Sequence, residues 1–315
     1  MSFLARRLGA AVLLVLIASA LVFLAIRFLP GDPVLLLLGE QGASDPEVVL
    51  RMRAKLGLDQ PLLAQLFHWV WNALHLEFGT SLQSGLPVAE ELARRIPRSL
   101  ELIGGGLFVA VAGGIPLGVI AARHDDRPVG WLASGIAVFG FSAPVFVTGV
   151  LLVLAFSLGL GWLPSSGYAP LSEGVGTHLS FAVLPWLAMG FAFMGVVIRM
   201  TRASLLDTLK KDFVRTARAK GITERAVIYR HALPNSLIPV VAVIGVRAGN
   251  LLGGTVIIET LFNWPGLSSL LVRACYDRDY PLIQGSLLSI FVLFVLISLL
   301  VDLLLGLLDP KLRDG

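Results

Sequence analysis

The basic side chains of one short stretch are the residues of this chain with the most evident chemistry. Between Asp212 and Ser236 the sequence reads DFVRTARAKGITERAVIYRHALPNS and holds six basic residues, counting His231. Clustered cations bind acidic protein surfaces or anionic lipid headgroups. The chain has no Gly-x-x-x-x-Gly-Lys-Ser/Thr phosphate loop, the motif that cradles ATP in the usual ATPases. The pattern therefore indicates binding to a protein or a membrane surface rather than ATP hydrolysis by this chain.

The other candidates for catalysis or metal binding are isolated. Cys275 is the only cysteine, which excludes an intrachain disulfide and a cysteine-based metal cluster. His68 and His75 are seven residues apart, and the remaining histidines fall in separate loops, so a metal site is not expected. Ser142, within GFSA, would suit the nucleophile of an intramembrane protease, but that chemistry needs a histidine at the same depth. No predicted span contains one, and we favour a helix-packing role for Ser142 beside Pro144.

The composition indicates that these residues lie in or between membrane-spanning helices. Hydrophobic residues make up 56% of the 315, charged residues make up 15%, and the mean hydropathy is +0.83. A soluble domain is about half apolar and a quarter charged. The net charge of +4 comes from short clusters between apolar runs, so a nucleic-acid-binding face is not expected. We predict an all-α, polytopic membrane protein with a single transmembrane domain over residues 1–315.

Six windows are long and apolar enough to span a membrane, which takes about 20 residues. The windows are 8–28, 100–122, 131–158, 181–200, 237–258 and 282–308. Several contain Gly and Pro, as at 113–118 and 142–144, which neighbouring helices can tolerate. Six spans place both termini on one side of the membrane.

Arg247 lies near the middle of the fifth window. A charge at that depth costs about 2.5 to 3.5 kcal/mol on insertion scales, so the side chain should face the bundle interior or water. Asn250 lies one turn away, at i+3, and can share that face. Two interpretations stay open: a structural pair, for example with Glu259 or a carboxylate of a partner subunit, or a pathway group that meets a substrate carboxylate. Glu101, Glu259 and Asp302 lie nearer span ends, where we expect interfacial positions.

The N-terminal sequence and the loop charges predict the sidedness. The first helix has the charged start and apolar run of a signal peptide, with a possible cleavage site at 18–20, but its apolar run continues to Ile26. This length favours an uncleaved signal anchor. Lys and Arg of short loops mark the cytoplasmic side. They cluster near both ends, at 123–127 and between 199 and 230, whereas 158–180 has none. We therefore predict cytoplasmic N- and C-termini.

Residues 29–98 are predicted to form a helical extracytoplasmic insertion. In SDPEVVLRMRAKLGL, Ser44 or Asp45 is a candidate N-cap, Pro46 belongs to the first turn and Gly57 ends the helix. PLLAQLFHWVWNALH repeats the apolar helical spacing. These helices would pack on the bundle or lie at the membrane interface, and they could also help to form an external docking surface.

Residues 201–235, the polar segment, are predicted to form two short helices around a glycine. The first helix carries one apolar stripe at successive i+4 positions. Its members are Leu205, Leu209, Phe213 and Ala217. Gly221 ends this helix, Thr223 is the N-cap of the second, and Leu233-Pro234 ends the second helix before the fifth span. A basic amphipathic linker can also simply lie on anionic lipid, so composition leaves that alternative open.

The order of residues in the polar segment resembles the cytoplasmic coupling loop of membrane subunits of ATP-binding-cassette (ABC) importers. The usual pattern is Glu-Ala-Ala, three residues, Gly, nine residues, then Ile, any residue and Leu-Pro. It falls here on Arg215, Thr216, Ala217, Gly221, His231, Leu233 and Pro234. Arg215 replaces the usual Glu, and His231 replaces the usual Ile. The run DFVRTARAKG followed by HALPNSLIP is similar to one branch, the dipeptide and oligopeptide permease subunits.

Further stretches resemble that branch in the same order along almost the whole chain. They are FLPGDP at 28–33, LGLDQPL at 56–62, FGTS at 78–81, RIPRSLEL at 95–102, FSAPVFVTGVLL at 141–152, WLPSSG at 162–167, LLGGTVIIETLFNWPGL at 251–267 and LLDPKLR at 307–313. A single GDP or DP has little meaning by itself. Ordered matches over this length are typical of a common family.

The resemblance implies a permease subunit in a bacterial inner membrane. With a second homologous permease it would form the path for di- or oligopeptides, supplied by an extracytoplasmic binding protein. Two cytoplasmic ABC ATPases would bind ATP and Mg²⁺, so the permease itself would hold no cofactor. Each ATPase would grip a permease through the helix ending near Gly221. Arg218 and its basic neighbours could contact acidic grooves on the ATPase or merely satisfy topology. Relatives with this pattern handle dipeptides, longer peptides, glutathione, nickel chelates or other small solutes.

A self-contained secondary transporter is the rival interpretation. Such a protein would carry intramembrane acidic groups for ion coupling and an internal repeat. The predicted spans lack mid-span acids, and the two halves show no convincing repeat. Transport of peptide without any ATPase partner would favour this rival.

Overall fold

The computed structural model describes residues 3–27, 34, 45–55 and 59–308, which are nearly all helical. Among them the only extended pairing is an isolated bridge between Thr80 and Pro87. The α-helices in chain order are α1 Phe3–Arg27, α2 Pro46–Lys55, α3 Leu62–Leu74, α4 Val88–Arg123, α5 Pro128–Ser142, α6 Val145–Leu152, α7 Val175–Leu209, α8 Asp212–Ala219, α9 Glu224–Ala226, α10 Leu233–Leu261, α11 Leu267–Tyr276 and α12 Tyr280–Leu308. Wider π-helical turns continue α6 over Val153–Gly159 and join α9 to α10 over Val227–Ala232.

The described helices confirm the predicted class of polytopic helical membrane protein. Five of them are long and apolar enough to cross a membrane, and α5 with α6 supplies a sixth crossing if the two are counted as one broken span. The longest, α4 and α7, have 36 and 35 residues. At 1.5 Å per residue each is about 50 Å long, well beyond a hydrocarbon layer of about 30 Å.

The third predicted span is broken rather than continuous. Its two halves, α5 and α6, meet at an angle of 111°. Ala143 has extended backbone angles, φ −75° and ψ 125°, because the ring of Pro144 excludes the helical conformation from the residue before it. Pro144 also lacks the N–H that would continue the helical hydrogen bonds. The sequence marked this proline, but the size of the bend came only from the structure.

The chain divides into two compact units, one centred on Arg98–Pro265 and the other on Arg6–Pro97 with Gly266–Val295. In the first unit α7 packs against α5, α6 and α10. The contact between α5 and α7 is close, because a Cβ at Gly195 would lie 2.5 Å from the carbonyl oxygen of Ala137. Small residues permit such an approach of two helix backbones.

In the second unit, α11 and the first turns of α4 and α12 share an apolar core. A buried carboxylate, Asp279, fixes the loop before α4 to the start of α12. It accepts hydrogen bonds from Ser81 Oγ at 2.5 Å, from the Leu82 N–H at 2.9 Å and from the Leu282 N–H at 3.2 Å. Such a cap satisfies backbone donors that the helix leaves without partners.

The two helices predicted between residues 29 and 98 from SDPEVVLRMRAKLGL and PLLAQLFHWVWNALH are confirmed as α2 and α3. Asp45 caps α2, since its Oδ1 accepts the Glu47 N–H at 2.9 Å. The alternative cap Ser44 and the terminator Gly57 lie outside the described residues. In α3, Trp69 packs on Phe23 of α1 with 6.2 Å between the ring centroids.

Candidate coupling surface

The first half of the polar segment is two helices, not one. A turn at Lys210 and Lys211 separates α7 from α8. The predicted stripe is therefore wrong at Phe213, which is 42% exposed, while its neighbour Val214 is buried. Leu205 and Ala217 are buried as predicted. The turn departs from helical geometry, so it resets which residues of α8 face the protein.

Gly221 forms the predicted elbow after α8. Its φ is +74°, and nothing lies within 4 Å of the position that a Cβ would take. Its N–H donates to the carbonyl oxygen of Arg218 at 3.0 Å, and the Ile222 N–H donates to that of Ala217 at 3.4 Å. This is the left-handed helix ending for which glycine is favoured. The helix end predicted at Gly221 is confirmed.

A local apolar core fixes the polar segment to the rest of the first unit. Side chains of α8 and of the π-helical turn pack against the C-terminal ends of α4 and α7. The buried members are Val119, Ala122, Leu205, Val214, Ala217, Val227, Ile228 and Ala232. Ser204 Oγ also donates to the carbonyl oxygen of Ser236 at 2.7 Å, which links α7 to α10. The segment is therefore a packed part of the bundle and can move with its helices.

An ion pair bridges the elbow from α8 to α9. Arg218 donates to both carboxylate oxygens of Glu224, at 2.6 and 3.0 Å. These hydrogen bonds raise the pKa of Arg218 above its ordinary value because they favour the charged guanidinium. Thr223 lies at the predicted N-cap position but makes no side-chain cap bond. Glu224 thus links α9 to α8 across the elbow. The local sequence did not predict this role.

Arg215, on the outward face of α8, is an exposed cation with one weak ion pair. Arg215 Nη1 lies 3.4 Å from Asp212 Oδ1, and both side chains are exposed. Thr216 Oγ1 donates to the carbonyl oxygen of Asp212 at 3.0 Å, within the same helix. Exposed pairs of this kind contribute little stability, so Arg215 stays available to a partner.

Three more cations and a tyrosine extend this face past the elbow. Lys220, Arg225 and Arg230 are exposed, and they have no ion pair among the residues that the structure describes. Tyr229 is 48% exposed. A shallow groove of about 380 Å³ is lined by Thr223, Arg225, Ala226 and Tyr229. We call the outward face formed by Phe213, Arg215, Arg218, Lys220, Arg225, Tyr229 and Arg230 the coupling surface.

The Leu-Pro pair does not end a helix, so that part of the prediction is wrong. Leu233 begins α10, and Pro234 lies in its first turn, where the missing N–H is tolerated. The preceding π-helical turn continues the helical path into the span. His231 is half-buried in that turn, and its carbonyl oxygen accepts Asn235 Nδ2 at 2.7 Å.

The predicted path residues lie in α10. The side chains of Arg247 and Asn250 are outside the part that the structure describes. Glu259 follows Arg247 by twelve residues on the same helix, about 18 Å along its axis, too far for the structural pair considered from sequence. Glu259 is 1% exposed and accepts the hydroxyl of Ser99 at 2.7 Å.

A polar cluster that the sequence did not reveal joins the N-terminal half of α4 and the start of α7 to the end of α10. Besides the Ser99–Glu259 bond, His178 Nε2 lies 2.7 Å from Glu101 Oε1, and its Nδ1 lies 2.7 Å from the carbonyl oxygen of Ala169. Its aromatic wall is Tyr168 and Trp264, whose ring centroids are 4.8 Å apart. We call Ser99, Glu101, Tyr168, His178, Glu259 and Trp264 the Glu259 cluster. Its partners are up to 160 positions apart, so no local pattern predicts them.

The helical bundle defines a polytopic membrane protein, and the family comparisons give its class. Residues 114–314 match the family described as "Binding-protein-dependent transport system inner membrane component", and residues 1–103 match its N-terminal membrane component. The chain belongs to this family. It is a multi-pass permease subunit of a bacterial ABC importer of the inner membrane, a family that works with a second permease, ATPases and a binding protein.

Two curated relatives cover almost the full length. The glutathione transport system permease protein GsiC of Escherichia coli (strain K12) is 42% identical over 313 residues, 99% of each chain. A Brucella abortus (strain 2308) protein named "Putative peptide transport system permease protein" is 40% identical over 311 residues, 98% of each chain. The identification as a member of the peptide and glutathione permease branch is confirmed.

Solved structures show the same fold. A chain of the MetNI methionine ABC transporter in an inward facing conformation has a TM-score of 0.57 and 19% identity, covering 70% of this chain and 96% of that one. A second crystal form gives a TM-score of 0.55 at 20% identity. At this identity the likeness concerns the fold alone.

Proposed function

We propose that this permease, with a second homologous permease subunit, forms a path for di- or oligopeptides, glutathione among them. Two separate ATPase subunits drive the transport by gripping the coupling surface of each permease, and an extracytoplasmic binding protein delivers the substrate. The names of the GsiC and Brucella relatives support the substrate class. ATP and Mg²⁺ belong to the ATPase subunits, and the permease is not an enzyme.

The observation that carries the proposal is an exposed binding face on a rigid support. Phe213 and Tyr229 are exposed aromatic side chains in an otherwise polar segment, and such residues are enriched at the centres of protein interfaces. The cations around them complement an acidic partner. The apolar core below them connects this face to α4, α7 and α10, so a displacement by the partner reaches the spans.

The coupling residues divide by role. Gly221 gives the elbow its shape, Ala217 anchors α8, and Leu233 with Pro234 begins the span. The residues offered to the ATPase are Arg215, Thr216, Arg218 and, at the rim, His231. This assignment places residues 201–235, both termini and the ATPases in the cytoplasm, with 29–98 as the extracytoplasmic insertion of one domain. Arg247 and Asn250 are the proposed path-lining residues of α10.

Gly221→Pro tests the coupling role directly. The substitution should abolish substrate-stimulated ATPase activity and transport in the reconstituted complex, because proline cannot adopt φ near +74°. Membrane insertion should be unaffected, and Arg218→Glu should behave alike. Gly161→Pro is the matched control, since Gly161 also has a positive φ (+64°) and open space around it but lies between α6 and α7. Wild-type stimulation in Gly221→Pro, or equal losses in both glycine variants, would contradict the proposal.

The substrate class is tested separately from the coupling. The ligands are released from the binding protein that co-purifies with the complex, and they are identified by mass spectrometry. Di- or oligopeptides or glutathione are the expected ligands. A nickel chelate or a non-peptide solute would remove the peptide assignment and leave the coupling role in place.

A further inference from the structure

Arg199 follows the longest stretch of α7 that has no exposed side chain. Residues 180–198 are all buried or half-buried, and Arg199 is the first exposed residue after them. These nineteen residues extend about 28 Å, close to the thickness of the hydrocarbon layer. They nearly coincide with the apolar window 181–200, so Arg199 lies at the end of the fourth predicted span, before the polar segment begins.

Its guanidinium points back toward the interior of the layer. The Cζ atom lies 4.7 Å from the centroid of the Phe141 ring, at the end of α5. The backbone of Phe141 adjoins Gly195, where a Cβ would lie 2.9 Å from the Phe141 nitrogen. Gly195 precedes Arg199 by one turn, so the arginine side chain runs toward the N-terminus of α7, as helical side chains do.

This placement differs from that of an arginine that extends to the aqueous boundary. Arg202, one turn later, pairs with Asp125, with 3.1 Å between Nε and Oδ1. Arg199 has no carboxylate partner among the described residues. A charge directed into the layer must face the protein interior or a water-filled path. Irregular backbone at membrane depth is tolerated where it is buried in protein or lines a water-filled cavity. Ser142 and Pro144 at the neighbouring break are exposed, which favours the cavity.

We propose that Arg199 and Phe141 form an anion site on the translocation path that binds the carboxylate of a passing peptide. The proposal rests on the proposed function. The ring, 52% exposed, covers one face of the guanidinium and leaves its N–H groups free to hold a carboxylate in the guanidinium plane. The position beside the break, at the end of the fourth predicted span, puts this site toward the predicted cytoplasmic exit.

A single-cysteine experiment tests the site. Ser142→Cys, in a Cys275→Ser background, introduces one thiol beside Phe141 in the complete transporter reconstituted in phosphatidylcholine vesicles. The probes are an anionic sulfonatoethyl and a cationic trimethylammonioethyl methanethiosulfonate. The anionic reagent should react faster, and Arg199→Gln should lower the anionic-to-cationic rate ratio about tenfold. Arg199→Lys should keep most of the preference, and the control Arg202→Gln should leave the ratio unchanged.

Protection by substrate separates this site from the peptide assignment. Dialanine should slow the anionic reagent, and dialanine amide should not. An anion preference that depends on Arg199 but is unaffected by dialanine would keep the anion site and remove the peptide ligand. An unreactive thiol, or a ratio insensitive to Arg199, would overturn the proposal. Protection seen only when phosphatidylglycerol is added would also overturn it, by assigning Arg199 to lipid.

Discussion

The two polar regions of the first unit lie toward opposite ends of the same helices and differ in exposure. At one end of α4, α7 and α10 the coupling surface presents five cations and two aromatic rings to the outside. Toward the other end the Glu259 cluster turns its polar groups inward, where Glu259 is 1% exposed and His178 is almost as covered. Both regions are rich in charged and aromatic residues, so residue type does not separate them.

The difference teaches how burial assigns a role to a charge. A buried carboxylate must be satisfied within the protein, so the Glu259 cluster fixes helix ends to the loop between α6 and α7. Exposed cations above a firm apolar core contribute little to the fold and remain available to a partner. Substitutions in the cluster should therefore change stability, whereas substitutions on the coupling surface should change partner binding.

The largest effect is expected for Glu259→Ala. Losing a buried acceptor leaves the Ser99 hydroxyl without this bond and should lower the free energy of unfolding by about 2 kcal/mol. Thermal unfolding of the purified subunit in detergent measures the change. Glu259→Gln, which keeps an acceptor, should lose less, and the exposed Glu173→Ala should change stability by less than about 0.5 kcal/mol. Equal stability of Glu259→Ala and Glu173→Ala would contradict the stabilising role of the buried carboxylate.

An intermediate effect, on a different quantity, is expected for Tyr229→Ala. The free energy of unfolding should stay near wild type because the ring is half exposed, while affinity for the ATPase should fall about tenfold. Binding of the purified ATPase to the reconstituted permease measures this. Tyr276→Ala is the matched control, since Tyr276 is 84% exposed on α11. If Tyr229→Ala lowered stability and left the affinity unchanged, Tyr229 would have a structural role, like the residues of the Glu259 cluster.

The smallest effect is expected for Arg215→Gln. Its pair with Asp212 is exposed and should contribute less than about 0.5 kcal/mol to stability. ATPase affinity should fall about threefold at low salt and less at high salt, because screening weakens rim charges. Arg51→Gln, which removes an exposed pair with Glu47 on α2, is the control and should leave affinity unchanged. A salt-independent loss at Arg215 would indicate a desolvated contact and sharpen the map of the surface.

Local patterns predicted the elements well where one residue decides the backbone. Gly221 ended α8 as expected because a φ of +74° is strained for other residues, and Asp45 with Pro46 marked the start of α2. The stripe through Phe213 failed because a turn at Lys210 and Lys211 changed the phase of α8. Leu233-Pro234 failed as a stop because the first turn of a new helix accommodates proline.

By itself the sequence determined the membrane class, the apolar windows and the elbow, since hydropathy and backbone preference act within a few residues. Only the tertiary structure decided the 111° break, the burial of Glu259 and the contact of Arg199 with Phe141. The physical reason is distance along the chain. Whether a charge is buried, paired or offered to a partner depends on residues up to 198 positions away, which only packing brings together.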